Sequence, residues 1–186
     1  YGLVRRQGTP SMSGLYILHE GPLGVFDETL DEQDYSDLKD APAGGIKIET
    51  AEAGGWIGIT DKYWLAALLP SQQKKFTFSF QSLPGNADRY QVDYIDRSGQ
   101  ILAAGGAVST QGRLFAGAKK VALLDHYKDE LGIPNFDLAI DFGWFYFLTK
   151  PFFYAINWLF QLFGNFGFAV LAFTVVVKLA FFPLAN

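Results

Sequence analysis

The chain has 186 residues, of which 49% are hydrophobic, 17% aromatic and 18% charged, and its net charge at pH 7 is −4. This balance excludes a protein that binds nucleic acid by neutralising phosphates with a basic surface. The lack of cysteine excludes disulfides, a thiolate zinc site and a thiol nucleophile, and two histidines, His19 and His126, leave little scope for a catalytic triad or a histidine metal centre.

The charges divide the chain into two unlike parts. All 19 acidic residues and 13 of the 15 basic ones lie at or before Asp141, which gives this part a net charge of −6. The 45 residues after Asp141 carry only Lys150 and Lys178. We therefore expect an acidic, water-soluble part followed by a very apolar tail. Because the chain starts without a methionine or a signal peptide and stops directly behind an apolar run, we also interpret it as a piece of a longer protein.

The first 115 residues are dominated by short segments in which apolar and polar residues alternate, a pattern typical of β-strands. Turn residues separate these segments, and no helical pattern intervenes. Several such strands in succession predict an antiparallel β-sandwich. The strand candidates are Leu15–Leu18, Ile46–Glu49, Trp56–Ile59, Tyr63–Leu69, Phe76–Phe80 and Tyr90–Tyr94.

Three further segments complete the acidic part. Asp27–Asp40 holds seven acidic residues and one lysine, and without the ligand spacing of a calcium loop it is interpreted as a solvated loop. Residues 117–131 change to a helical period, and Gly132 followed by Pro134 predicts where that helix ends. Residues 132–149 are expected to connect this helix to the tail.

The tail begins with an aromatic-rich segment that predicts an amphipathic helix over residues 150–163. Its polar residues recur at spacings of four, three and four, which places them on one helical face, and Pro151 suits a first turn. The opposite face is apolar, so the helix is interpreted as lying in a membrane interface. A buried helix of a soluble core and a full membrane span remain alternatives. The polar face consists of Lys150, Tyr154, Asn157 and Gln161.

Residues 166–185 follow the break at Gly164-Asn165 and contain one charge in twenty residues. At 1.5 Å per residue this run matches the roughly 30 Å thickness of a bilayer's hydrocarbon core and predicts a transmembrane helix. Lys178 lies well inside the run, where a charge costs about 2.5–3.5 kcal/mol. Thr174 lies one turn earlier on the same face. The two residues would face a helix bundle or a wet cavity, or Lys178 would snorkel to the interface.

Six short runs of residues resemble those of a known family. No single run is diagnostic, but their order and spacing are specific when the runs are taken together. Gly55–Trp64 and Leu114–Lys119 resemble the large periplasmic domain of the Gram-negative YidC proteins. The runs in the tail resemble the opening of the conserved core of the YidC/Oxa/Alb membrane protein insertases, and the resemblance covers nearly the whole chain. The runs in the tail are Asp141–Trp144, Thr149–Pro151, Gly164–Gly167 and Thr174–Leu184.

The resemblance implies the domain organisation. Residues 1–131 would be most of a periplasmic all-β supersandwich with a C-terminal helix. Residues 132–149 would be a connector, 150–163 an interfacial amphipathic helix, and 166–185 the first transmembrane α-helix of a five-helix core. An N-terminal anchor helix, a cytoplasmic hairpin and four more core helices would lie outside this chain.

The resemblance also implies a function that breaks no bond and uses no cofactor or metal. Such proteins insert and fold nascent membrane proteins in the bacterial inner membrane, alone or with the Sec translocon. They use a hydrophilic groove that bears one basic residue, usually arginine, and Lys178 occupies the matching place. Partners would be nascent membrane proteins, Sec components, membrane lipids and, through regions absent here, the ribosome, with no nucleic acid bound by this fragment. Residues 1–143 would lie in the periplasm.

Two other functions compete with an insertase. One is a membrane-anchored sandwich that binds sugars or peptides through Trp56, Tyr63, Trp64 and Tyr90, although aromatic residues in strands are more often core. A simple anchor has no use for a charge in the middle of a span, which favours the insertase.

The other competing function is a membrane-bound hydrolase that uses a carboxylate cluster. Its nearest candidates are Asp61, Asp93 and Asp96, which are more typical of strand edges and turns.

Overall fold

The computed structural model describes residues 1–9, 18–85, 87–99, 101–143 and 145–184. The chain divides into two compact units, Tyr1–Asp141 and Phe142–Asn186. The strand candidate Leu15–Leu18 falls outside the described residues except for Leu18, so that strand stays a prediction. The other five strand candidates all coincide with strands to within a few residues.

The first unit is built from two sheets in which every described strand pairing is antiparallel, which confirms the predicted sandwich. The four-stranded sheet consists, in spatial order, of β1 Gly2–Gln7, β8 Arg89–Ile95, β7 Thr77–Leu83 and β4 Ile46–Glu49. The five-stranded sheet consists, in spatial order, of β3 Thr29–Glu32, β2 Pro22–Phe26, β5 Trp56–Thr60, β6 Trp64–Leu69 and β9 Arg113–Ala118.

The main core lies between the two sheets and is rich in aromatic rings. Phe78 is fully buried, and its ring centroid lies 4.7 Å from that of Phe26 across the sandwich. Phe76, Phe80 and Tyr90 are buried in the same cluster, as their alternation along the strands predicts. Pairs of rings tilted or edge-on to each other at such distances stabilise a core beyond the effect of area alone.

A second core lies on the other face of the five-stranded sheet. There the helix α2, Val121–Leu131, and a 3₁₀ helix, Phe136–Ala139, cover the strands. Trp56 is fully buried in this layer, and its indole N–H donates to the carbonyl oxygen of Pro134 at 3.0 Å. Because β5 is covered on both faces, all five of its residues are buried.

Several predictions for the first unit were wrong in detail. The acidic stretch Asp27–Asp40 is not a plain loop, because it contains β3 and a short helix, α1, at Tyr35–Asp40. Leu38 is buried there and anchors α1 to the core between the sheets. The helix predicted over 117–131 begins only at Val121, since residues 117 and 118 complete β9 at the sheet edge.

The second unit contains two helices, α3 at Tyr146–Phe163 and α4 at Phe166–Phe181. The helix predicted over 150–163 thus begins earlier, because the amides of Leu148 and Thr149 both donate to Phe145 O at 2.8 Å and form an additional turn. Pro151 consequently lies inside α3 rather than in its first turn. The predicted break is confirmed: Gly164 has a φ of 64°, which favours glycine.

Within the described residues, no helix combines the length and the apolar character needed to cross a membrane. The prediction of a transmembrane helix over residues 166–185 is therefore wrong for the residues that the structure describes. α4 has 16 residues, or about 24 Å at the rise of an α-helix, and a 3₁₀ turn at Phe182–Leu184 follows it. Pro183 contributes to this end, because it has no amide hydrogen to donate to the carbonyl oxygen of Leu179, which accepts from the Phe182 amide instead.

Candidate functional site

The two helices of the second unit pack against each other as a hairpin. The ring centroids of Phe152 and Phe173 lie 5.1 Å apart, and those of Phe160 and Phe166 lie 6.2 Å apart. The side chain of Asn165 caps α4 by accepting hydrogen bonds from the amides of Gly167 and Phe168 at 2.9 and 3.3 Å. This cap satisfies donors that the first turn of a helix otherwise leaves unpaired.

Lys178 and Thr174 lie one helical turn apart on α4, and both are exposed. The Thr174 hydroxyl donates to the carbonyl oxygen of Val170 at 2.8 Å, so its proton is used within the helix. Within the described residues, Lys178 makes no hydrogen bond or ion pair. The spacing predicted from the sequence is thus present, and a role for Lys178 as a groove cation stays a prediction.

The polar face predicted for α3 has one half-buried member and three exposed ones. Lys150 is half-buried, and its ammonium donates to the hydroxyl of Tyr146 at 3.0 Å and lies 5.4 Å from that ring's centroid. Tyr154, Asn157 and Gln161 are exposed. An additional aromatic residue, Tyr146, therefore joins this polar face because α3 begins earlier than predicted.

The hairpin exposes most of its large apolar side chains. Among the described residues of this unit, Ala169 is the only hydrophobic one that is buried. The apolar face predicted for α3 consists of Phe152, Phe153, Ile156, Leu159, Phe160 and Phe163. The first, third and fourth of these are half-buried, and Phe153, Phe160 and Phe163 are exposed. Apolar surface on this scale marks a protein or membrane contact. The exposed side chains include Phe147, Trp158, Leu162, Phe168, Leu171 and Leu179.

The aromatic residues proposed for a sugar or peptide site do not form one surface. Trp56 and Tyr90 are fully buried, in the two different cores described above. Tyr63 and Trp64 expose 65% and 62% of their surface at the turn between β5 and β6. This distribution argues against a shared binding site.

The three candidate carboxylates each have their own partners. Asp61 accepts a hydrogen bond from Arg6 at 2.7 Å, and Asp93 is buried and accepts from Gln81 and Gln91. Asp96 accepts from the Ser98 hydroxyl and from Lys74, which together lower the pKa of its carboxyl to about 2. No group of acidic or histidine side chains suited to a metal occurs among the described residues.

Two open concavities on the sandwich hold about 440 and 420 Å³. The larger one lies at the start of β7 and combines Lys74, Lys75 and Arg97 with Glu49. The smaller one lies between β1 and the pair β6 and β9, with Trp64 at its side. Neither combines a hydroxyl nucleophile with a histidine base, the arrangement that triad chemistry needs.

One polar cluster was not predicted from the sequence. The half-buried Lys119 donates to the hydroxyl of Thr60 at 2.7 Å, at the end of the sandwich where β5 meets β6. Burial lowers the pKa of its ammonium, and the carboxylates of Glu20, Asp141 and Asp61 oppose that shift. No sequence signal identifies this cluster, because its members are far apart along the chain.

Comparison with known proteins gives consistent matches. The family model of the YidC periplasmic domain matches residues 1–155. The chain is 51% identical over 189 residues to the membrane protein insertase YidC of Granulibacter bethesdensis, and 46% and 45% identical over 187 residues to those of Rickettsia bellii and Rickettsia prowazekii. These alignments cover 100% of this chain and 33% of each relative, so the chain spans about a third of the length of the curated relatives it matches.

Proposed function

Because this chain belongs to the YidC family of membrane protein insertases, we propose that it takes part in inserting and folding nascent membrane proteins in the bacterial inner membrane. The observation that carries the proposal is the contrast between a closed sandwich and a hairpin that exposes its apolar side chains. The sandwich would be periplasmic, with residues 1–143 on that side. The hairpin of α3 and α4 would be the membrane-associated part.

Lys178 would supply the basic residue of a hydrophilic groove that the rest of the protein completes. Its ammonium is exposed on α4, and a cation in a wet groove lowers the cost of bringing an acidic or polar segment part-way into a bilayer. Thr174 would extend the polar face by one turn. Lysine keeps the charge of the family's usual arginine but cannot form a planar, bidentate contact.

α3 would lie in the membrane interface next to the groove helix. Its polar face of Lys150, Tyr154, Asn157 and Gln161 suits headgroups and water, and its phenylalanines suit the acyl boundary. Lys150 stacked on Tyr146 combines a cation with an aromatic ring, a pairing suited to an interface. Lipids are therefore one class of partner.

The proposed function requires no chemical step. A substrate's polar segment would be attracted to the groove while its apolar segment moves into lipid, so no nucleophile, base, cofactor or metal takes part. The remaining partners would be nascent membrane proteins, Sec translocon components and the ribosome through regions outside this chain. No nucleic acid would be bound by this part of the protein.

The main test replaces Lys178 in the full-length protein and measures insertion normalised to protein amount. Lys178→Arg should retain insertion, and Lys178→Ala should impair substrates with an acid in the translocated segment. Lys178→Glu should impair them more, because like charges repel strongly in a low-dielectric groove. Thr149→Ala on α3 is a control that leaves the charge untouched. Equal activity per molecule for the Ala, Arg and Glu variants across several substrates would reject the groove cation.

A second test addresses the two units. Internal deletion of residues 1–131 from the full-length protein should preserve much of the insertion activity, since the proposed groove residues lie outside the sandwich. Complete loss of activity in a stably expressed deletion would contradict this division. For topology, a single cysteine at Asn157 should react with a membrane-impermeant reagent added from the periplasmic side. Residues 1–186 contain no cysteine, and any cysteine elsewhere in the full-length protein is first replaced.

A further inference from the structure

The turn between β5 and β6, Asp61–Trp64, exposes two aromatic rings and a cation that the proposed function does not use. We call it the aromatic turn. Tyr63 and Trp64 are exposed by 65% and 62%, and the Lys62 ammonium lies 5.4 Å from the centroid of the Tyr63 ring. The Asp61 amide donates to Trp64 O at 2.8 Å, which closes the turn. The exposed rings are thus presented on a tight hairpin that extends from two core strands.

The aromatic turn lies at the end of the sandwich from which the chain leaves toward the tail. Lys119 connects the two: its amide donates to Tyr63 O at 2.8 Å, and its ammonium donates to Thr60 at 2.7 Å. The negative charge of Asp141, the last residue of the sandwich unit, raises the pKa of that same ammonium. The Asp141 side chain also accepts from the His19 amide at 3.4 Å, which fixes the exit point.

The exit point is close to α3 along the chain. Four residues lie between Asp141 and Tyr146, the first residue of α3, and the five steps from Cα to Cα cover at most about 18 Å in an extended chain. If α3 lies in a membrane interface, as proposed above, the membrane surface is therefore within reach of this end of the sandwich. This step rests on the proposed function.

The chemistry of the turn matches a lipid surface. Tyrosine and tryptophan have an apolar ring and a polar group, and they concentrate at the level of the headgroups. Lys62 and the exposed Lys120 are cations suited to lipid phosphates. The acidic member of the turn, Asp61, is paired with Arg6 at 2.7 Å, which offsets its repulsion of anionic lipid.

We propose that the aromatic turn docks on the lipid headgroup region of the membrane that holds α3, with Tyr63 and Trp64 in the interface and Lys62 at the phosphates. The sandwich is then held to the bilayer at two points, the covalent connection at Asp141 and this turn. Such a second contact restricts the rotation of the sandwich about its connection.

Nitroxide labels on the full-length protein, in which any cysteine outside this chain is first replaced, test this in vesicles of phosphatidylcholine and phosphatidylglycerol. Single cysteines replace Tyr63 in the turn, Ile101, and Phe163, which is exposed on the apolar face of α3. Ile101 is 98% exposed and serves as the aqueous control. It belongs to the loop that leads into β9 at Arg113. Arg113 pairs with Leu69, at the end of β6 opposite to Trp64. Accessibility to a water-soluble nickel reagent and to oxygen gives the depth of each label.

The Tyr63→Cys label is expected at headgroup depth, with severalfold lower nickel accessibility than the Ile101→Cys label, and Lys62→Glu should move it toward the aqueous value. A membrane-embedded Phe163→Cys label with a fully aqueous Tyr63→Cys label would overturn this inference alone. An aqueous Phe163→Cys label would instead reject the proposed membrane association of α3. A label at Tyr63→Cys that is immobilised yet shows no lipid depth would indicate a protein contact and also overturn the inference.

Discussion

The sandwich and the helical hairpin use apolar residues in opposite ways. In the sandwich, the largest apolar side chains, such as Trp56 and Phe78, are fully buried in cores that the unit closes by itself. In the hairpin, side chains of equal size, such as Phe168 and Trp158, remain 64% and 63% exposed. Composition alone therefore does not determine burial; what matters is whether neighbouring elements provide a second layer.

This difference separates structural residues from residues available for binding. A buried ring in the sandwich contributes to folding, because its removal leaves a cavity. An exposed ring in the hairpin contributes little to folding in water and leaves its surface for lipid or for another helix.

The largest expected effect is on the core between the sheets. Phe78→Ala should lower the free energy of unfolding of the sandwich by about 3–5 kcal/mol, because a fully buried phenylalanine is replaced by a cavity. Urea unfolding of the whole chain in micelles measures it, followed by Trp56 fluorescence in a background in which the other three tryptophans are replaced by phenylalanine. Phe168→Ala, at an exposed ring of α4, is the control and should leave this transition unchanged. Equal destabilisation by both variants would contradict the comparison.

A smaller effect is expected at two glycines with positive φ. Gly55 has a φ of 105°, and an added Cβ would lie 2.6 Å from Val25 O, so Gly55→Ala should cost about 2–4 kcal/mol through strain and overlap. Gly164 has a φ of 64° with nothing within 4 Å of an added Cβ, so Gly164→Ala should cost only about 1 kcal/mol. Urea unfolding of each unit measures both. A larger loss at Gly164 would show that the end of α3 is more crowded than its geometry indicates.

The Asn165 cap should contribute about 1 kcal/mol to the stability of α4. Asn165→Ala removes the acceptor for two amides of the first turn and should lower helix stability by about 0.5–2 kcal/mol. Thermal melting of the helical circular dichroism signal in micelles detects the loss. Asn157→Ala, at an exposed position inside α3, is the matched control and should not reduce helicity. An unchanged melting curve for Asn165→Ala would rule out a role for the cap.

The smallest expected effect concerns the carboxyl of Asp96. The Ser98 hydroxyl and then Lys74 hold its pKa at about 2, below the ordinary value of about 3.9. Since the folded-state pKa is lowered, the associated stability is present above about pH 4 and is lost as the pH falls toward 2. Ser98→Ala should raise the pKa in an NMR titration of the carboxyl carbon, and Ser71→Ala is a control at another exposed loop. An unchanged Asp96 pKa would assign the shift to Lys74 and to the backbone amide of residue 98, which also donates to this carboxyl at 2.9 Å.

The sequence by itself determined the class of the first unit and the division of the chain. Alternation in Phe76–Phe80 and Tyr90–Tyr94 predicted strands and their buried faces, because a strand presents successive side chains to opposite sides. The loss of charges after Asp141 predicted the change from an acidic part to an apolar tail. The sandwich itself was expected to end at residue 131, and the structure adds residues 132–141 to its unit because Ile133 and Phe136 are buried in the second core. The break at Gly164-Asn165 was equally local, because a glycine with positive φ and an asparagine cap depend on neighbouring backbone only.

The tertiary structure alone decided where weak local signals become strands and which candidate residues come together. β3 and α1 form within an acidic stretch because Leu38 reaches the core, and β9 continues to residue 118 because β6 provides a paired edge. Likewise, Lys119, Thr60 and Asp141 are distant in sequence and meet only when the sheet forms. Such contacts depend on long-range packing, which no local period encodes, and they place the aromatic turn at the end of the sandwich nearest the exit of the chain.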